Sequence, residues 1–248
     1  PLDAEVALAS LGDNLVIAKN GTGMVYWPEL TINMIGDMLP GQGYQIYLSA
    51  ASTLTYPANS TILPKKRILA FRPARPVQHF QPSHRMTGNN AILLIKAPYF
   101  RENDEIAVVG PGGKIVGASV VQEGRALITI WGDDRYTEAL EGCREGEALQ
   151  LRFWSADSSV ESNLPIVSLQ NVLNGTDLPA ELFYRENSVW VAQAADLMQA
   201  PRKFALRQNY PNPFNPTTSI RFELPKECNL QLVIYNLRGQ AIRTLAEG

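Results

Sequence analysis

Two histidines, two cysteines and a run of carboxylates are what this 248-residue chain offers for chemistry. His79 and His84 both fall in a proline-rich stretch without neighbouring cysteines or carboxylates. Two isolated imidazoles do not make a metal site, so they read as solvated loop residues. A Ser-His-Asp or Cys-His arrangement would have to use one of them, and no nucleophile-elbow pattern is present. Gly110-Pro111-Gly112-Gly113 lacks the Lys-Ser/Thr and the helix of a phosphate-binding loop, and reads as a turn. Cys143 and Cys228 lie far apart in polar, turn-like contexts (Glu-Gly-Cys-Arg and Lys-Glu-Cys-Asn), and two separate free thiols is the preferred reading over a disulfide.

The carboxylates cluster after Trp131-Gly132: Asp133, Asp134, Glu138, Glu141, Glu145 and Glu147. Oxygen-rich loops can hold calcium, but the EF-hand spacing is missing, and a solvated acidic loop is the plainer reading. Nothing sets two carboxyls across a cleft as a glycosidase requires. Trp131, Trp154 and Trp190 either form a stacking platform for sugar or, as strand residues, belong to the core, which is the favoured alternative. No catalytic residue, cofactor or metal ligand is assigned, and the chain reads as non-enzymatic.

The elements that would carry these residues are strands. A hydrophobic fraction of 45% with 19% charged residues describes a globular protein. A formal net charge of -2 gives no electrostatic reason to expect nucleic acid or an anionic membrane as partner. No apolar run approaches the roughly 20 residues that span a bilayer. Strand signals recur at Leu15–Ile17, Gly43–Leu48, Ala91–Ile95, Ile106–Val109, Lys114–Val121, Ala126–Trp131 and Ala148–Trp154, with glycine turns between them. One helical turn is expected over Tyr136–Leu140 and nothing longer. Closely spaced strands predict an all-β protein of antiparallel sandwiches. The expected division is 1–62 as the end of a β module, 63–88 as a Pro-rich connector or outer strand (Arg72-Pro73-Ala74-Arg75-Pro76), and 89–193 as a β-sandwich domain. A linker over 194–208 then leads to a distinct segment, 209–248.

That last segment has its own logic. The prolines after Tyr210, Asn212 and Asn215 favour extended conformations before them and remove backbone donors. The asparagines can bond their local backbone, and Tyr210 and Phe214 are expected to anchor the stretch by burial. Ile220, Phe222 and Leu224 alternate with polar residues, as do Leu230, Leu232 and Ile234, and Asn236–Gln240 is the turn into a third strand. The string Phe204 to Phe222, centred on Asn209, Tyr210, Pro211, Asn212, Pro213, Phe214, Asn215, Pro216, Thr217 and Thr218, closely resembles the opening of a type A sorting domain of the type IX secretion system. The similarity runs on through Glu223-Leu224-Pro225, Leu230–Gly239 and Ile242–Leu245, about the final fifth of the chain.

The resemblance implies an immunoglobulin-like sandwich, shared with flagellar hook-capping proteins and left incomplete here, since such domains continue for several more strands. It implies a type IX translocon as partner, other copies or neighbouring surface proteins as further partners, and an extracellular or outer-surface location on a Gram-negative bacterium. Trp27-Pro28-Glu29, Ile32–Gly36 and Leu39–Tyr47 are similar to a surface β module found ahead of such domains, as are Gly117–Val121 and Ile128–Asp134. The chain, beginning at Pro1, is expected to be a piece of a longer exported protein with a structural and targeting role. The alternative is an accessory ligand- or carbohydrate-binding module of a secreted enzyme whose catalytic domain lies upstream.

Overall fold

The structure is a computed structural model and describes residues 1–58, 76–82, 86–196, 205–210, 212–224, 228–236 and 238–247. His84 and most of the Pro-rich connector lie outside the described residues, as does Pro211. Strands take up 44% of the described residues and helices 8%, so the all-β class holds. Two compact units cluster separately: Pro1–Asp157 with Glu161–Asp196, and Ser158–Val160 with Leu197–Gly248.

In the first unit the opening residues are helical, which the strand-centred reading did not anticipate. The Asp3 carboxylate accepts the N–H of Glu5 at 2.9 Å and caps α1 (Ala4–Ala7), and a 3-10 segment follows over Ala9–Asn14. Ala4, Ala7, Leu8 and Leu11 stand at helical spacing, and all four are buried in one cluster with Leu15, Ala18 and Tyr26. Around them run β1 (Leu2–Asp3), β2 (Leu15–Asn20), β3 (Val25–Trp27), β4 (Ile32–Asn33), β5 (Asp37–Met38) and β6 (Tyr44–Leu48). A four-stranded sheet has the order β4-β3-β2-β6, and β1 pairs with β5.

Ten strands follow: β7 (Asn90–Lys96), β8 (Glu105–Val109), β9 (Ile115–Val120), β10 (Arg125–Trp131), β11 (Ala148–Ser155), β12 (Val160–Asn163), β13 (Ile166–Asn171), β14 (Thr176–Leu178), β15 (Leu182–Phe183) and β16 (Val189–Ala194). They make two five-stranded sheets, one ordered β10-β7-β16-β13-β14, the other β12-β11-β8-β9 with β15 on β11. The strand pairs whose register is described are antiparallel except that β16 runs parallel to β7, Val189 opposite Ile92 and Val191 opposite Leu94. Parallel neighbours need a long crossover, and here the chain between them passes through the other five-stranded sheet.

The stretches 1–62 and 89–193, read separately from the sequence, share a core. Ile17, Val25, Trp27 and Ile32 of the first sheet pack with Ile92, Leu94, Leu127 and Val189 of the second. Leu93 and Ile95, on the other face of β7, are also fully buried, which is why this strand is an unbroken apolar run. The turn after β2 touches the second sheet too. Gly23 has φ of 76°, a Cβ there would collide with the Thr129 side chain, and the Thr129 hydroxyl donates to the Gly23 carbonyl at 3.0 Å. Each large side chain buried here contributes about 1.5–3 kcal/mol relative to exposure, so neither sheet is an independent module energetically.

Tyr136–Leu140 forms a turn and bends, not a helical turn. The Asp134 carboxylate accepts the N–H of Tyr136 at 3.0 Å and the Asp133 carboxylate accepts that of Glu141 at 2.8 Å, side-chain bonds that compete with a helical ladder.

The second unit contains β17 (Ala205–Leu206), β18 (Phe222–Glu223), β19 (Gln231–Tyr235) and β20 (Ala241–Glu247), in the pairs β17-β18 and β19-β20. The strand expected around Ile220–Leu224 shortens to two residues, and the expected linker contributes β17. The β19-β20 turn is built by Asn236, whose side-chain oxygen accepts the N–H groups of Arg238 (2.9 Å) and Gln240 (3.0 Å).

Candidate functional site

Three polar places inside the first unit stand out, and two of them carry no sequence motif. Lys19 follows the apolar run Leu15–Ala18, two residues beyond Ile17 and so on the same face of β2. That face is the core, and Lys19 is 2% exposed. Its ammonium donates to the Asn90 carbonyl (3.0 Å), the Asn90 side-chain oxygen (3.1 Å) and the Asn187 side-chain oxygen (2.9 Å). Burial is the main influence and lowers its pKa to about 8, against a smaller upward pull from Glu186. The alternation within β2 is the signal that would have found it.

Glu105, the first residue of β8, is fully buried. Its two oxygens accept the backbone N–H groups of Gln78 (2.8 Å), His79 (2.8 Å) and Phe80 (3.1 Å), clamping the described end of the connector onto the sheet. The imidazole of His79 stacks on Trp154 with ring centroids 5.0 Å apart and meets Glu161 at 3.0 Å. His79 is therefore a packed strap residue rather than a free loop residue.

The third place is the acidic loop after β10. Gly132 and Gly142 let it fold tightly: a Cβ on Gly132 would run into the Tyr184 hydroxyl, and one on Gly142 into the Gly132 carbonyl. The carboxylates mostly serve their own backbone. Besides Asp133 and Asp134, Glu145 accepts the N–H of Glu186 (2.9 Å) and Glu147 that of Arg144 (2.9 Å), while Glu186 pairs with Arg135 at 3.1 Å. Among the described residues no group of three His, Cys, Asp or Glu comes together to hold a metal ion. A polar cavity of about 230 Å³ remains, lined by Asn89, Asp133, Arg135, Cys143, Tyr184 and Glu186 among others. The buried Tyr184 hydroxyl has no hydrogen-bond partner among the described residues, and burial first, then Glu186, raises its pKa. Burial likewise pushes the Cys143 thiol up to about 12, so it is a packed group and not a ready nucleophile. Cys143 and Cys228 are free thiols, one in each unit.

Of the tryptophans weighed as a sugar platform, Trp131 and Trp190 are buried and Trp154 is covered by His79. No platform of the three exists, because inward strand positions hold large aromatics for packing. The exposed aromatic of this region is Tyr136, 97% accessible beside Arg135.

In the second unit the motif residues form an arch. Tyr210 and Ser219 exchange both backbone bonds at 3.0 Å, and the Asn209 side-chain amide donates to the Thr218 hydroxyl at 3.0 Å. Asn212 to Thr217 lie between these closures and are mostly exposed. Tyr210 is 81% and Phe214 55% exposed, so the expected burial of these two rings is corrected: the arch is closed by hydrogen bonds, and its aromatics point to solvent.

No family model, no curated protein and no solved structure matches this chain.

Proposed function

We propose that the chain is a non-catalytic structural and targeting region of an exported cell-surface protein of a Gram-negative bacterium. In this reading the jointly packed β-sheets of the first unit form an immunoglobulin-like region that spaces a cargo from the cell, and 209–248 opens a type A sorting domain read by a type IX translocon. The ordered string Asn209–Thr218 carries the reading, and its solvent-facing arch supports it. A signal read by a partner must be accessible, and an exposed tyrosine and phenylalanine on a short hydrogen-bonded arch are suited to anchoring such a contact. Replacing Asn209–Thr218 by a Gly-Ser stretch in the native protein, within its own cells, is expected to leave it in the periplasm. Undiminished surface delivery would sink the proposal.

A second reading, as a binding accessory for small polar ligands such as sugars, is favoured by one observation. The cavity beside Arg135 and Tyr184 holds charges of both signs and an unpartnered hydroxyl, and Tyr136 stands exposed next to it. Saturable binding on a glycan array that disappears in Tyr136→Ala would support it, and an array without any signal would remove it.

A further inference from the structure

We infer that Lys19 and Asn90 condense into an intramolecular amide, a covalent staple between β2 and β7 and hence between the two sheets that share the core. The geometry already holds the reactants together. Nζ lies 3.1 Å from the Asn90 side-chain oxygen and 3.0 Å from its main-chain oxygen, and the carboxamide carbon is one bond behind the first of these. Lys19 is 2% exposed and Asn90 1%, so water that would compete or hydrate the amine is excluded. Held in this way, an amine and a carboxamide react as one molecule, which removes the entropic part of a slow bimolecular step.

The three hydrogen bonds that Nζ makes among the described residues go to neutral oxygens, and the one charge that favours its cation, Glu186, counts for less than burial. Burial favours the neutral amine, the form that can attack. In the step the Nζ lone pair forms a bond to the Asn90 side-chain carbon. The bond from that carbon to Nδ2 breaks, and Nδ2 leaves as ammonia carrying one proton from Nζ. Nothing is oxidised or reduced, and no co-reactant is needed.

Asn90 is the acceptor rather than Asn187 because its position is fixed more completely. It is paired opposite Trp131 in the sheet, and its carbonyl also accepts the N–H of Asn187 at 3.0 Å. Asn187 sits outside the strands with φ of 62°.

Intact mass measurement of the full folded chain, held above pH 8 and then denatured, is expected to show a loss of one ammonia. Tryptic mapping is expected to show no cleavage at Lys19 and a branched peptide joining its segment to that of Asn90. Asn20-Gly21 and Asn174-Gly175 can also lose ammonia through succinimide formation, so Lys19→Arg is the control and is expected to lack the branched peptide. A folded wild-type chain that retains full mass and cleaves at Lys19 overturns the inference, and so does a branch at Asn187.

Discussion

Glu105 holds His79 by its backbone: the fully buried carboxylate accepts the His79 N–H at 2.8 Å and also those of Gln78 and Phe80. A strand thereby fixes a strap far along the chain through an anion and three donors, a charge-assisted arrangement stronger than neutral pairs. Removing the acceptor leaves those donors without it in a buried place. Glu105→Ala is expected to destabilise the first unit by about 3 kcal/mol or more in urea unfolding, and Glu105→Gln by less because one acceptor oxygen survives. Equal stability of Glu105→Ala and wild type would show that the clamp contributes nothing.

The shared core makes a second expectation. Ile92→Ala removes side-chain volume between Trp27, Ile17 and Val189 and is expected to cost about 2–5 kcal/mol. Hydrogen exchange should show β2–β3 and β7–β16 losing protection together in this variant. Loss confined to β7 and its own sheet would argue for two independent modules.

Thiol reactivity separates the two cysteines. Iodoacetamide on the native protein is expected to label Cys228, which is partly accessible, and to spare Cys143, which is buried with its thiol raised to about 12. In urea both react. The same shift has a stability consequence. The folded state keeps the Cys143 proton after the unfolded chain has begun to lose its own near 9.0, the ordinary value of a thiol. The contribution is therefore complete below pH 9 and declines as pH rises towards 12. Wild type should lose stability relative to Cys143→Ala over that window, by roughly 4 kcal/mol across its full span. Parallel pH profiles of the two proteins would contradict this.

Amide formation at Lys19 should follow its protonation. The amine titrates near 8 instead of 10.5, so its neutral fraction, and the rate of ammonia loss after refolding, should rise through pH 8 and level off above it. A rate still climbing tenfold per pH unit at pH 9.5 would mean that the reacting amine is not this buried one.

The arch aromatics give a last, separable test. Tyr210→Ser and Phe214→Ser are expected to change stability by less than about 0.5 kcal/mol, as exposed substitutions do, yet to reduce surface delivery in the native host. A large stability loss would restore the anchoring role that burial would have implied.

Much of this was written in local pattern. The strands β7 to β11 follow from apolar runs and glycine turns, and the β19-β20 hairpin from alternation around Asn236–Gln240, because strand period and turn chemistry are properties of neighbouring residues. The helical start went unread, although the spacing of Ala4, Ala7, Leu8 and Leu11 behind the Asp3 cap carries its signal. The proposed reading of Asn209–Thr218 as part of a sorting domain also rests on residue order alone.

Contacts between distant parts of the chain were decided only by the tertiary structure. Nothing local places Lys19 against Asn90 and Asn187, or Glu105 under His79, since these partners are separated by many residues and meet only when sheets stack. The parallel seam of β7 and β16 and the joining of residues 1–48 to the later sheets belong to the same class. Whether a tryptophan or a tyrosine faces solvent was settled there too. Side-chain alternation names two faces of a strand, and only packing says which of them, or both, is covered.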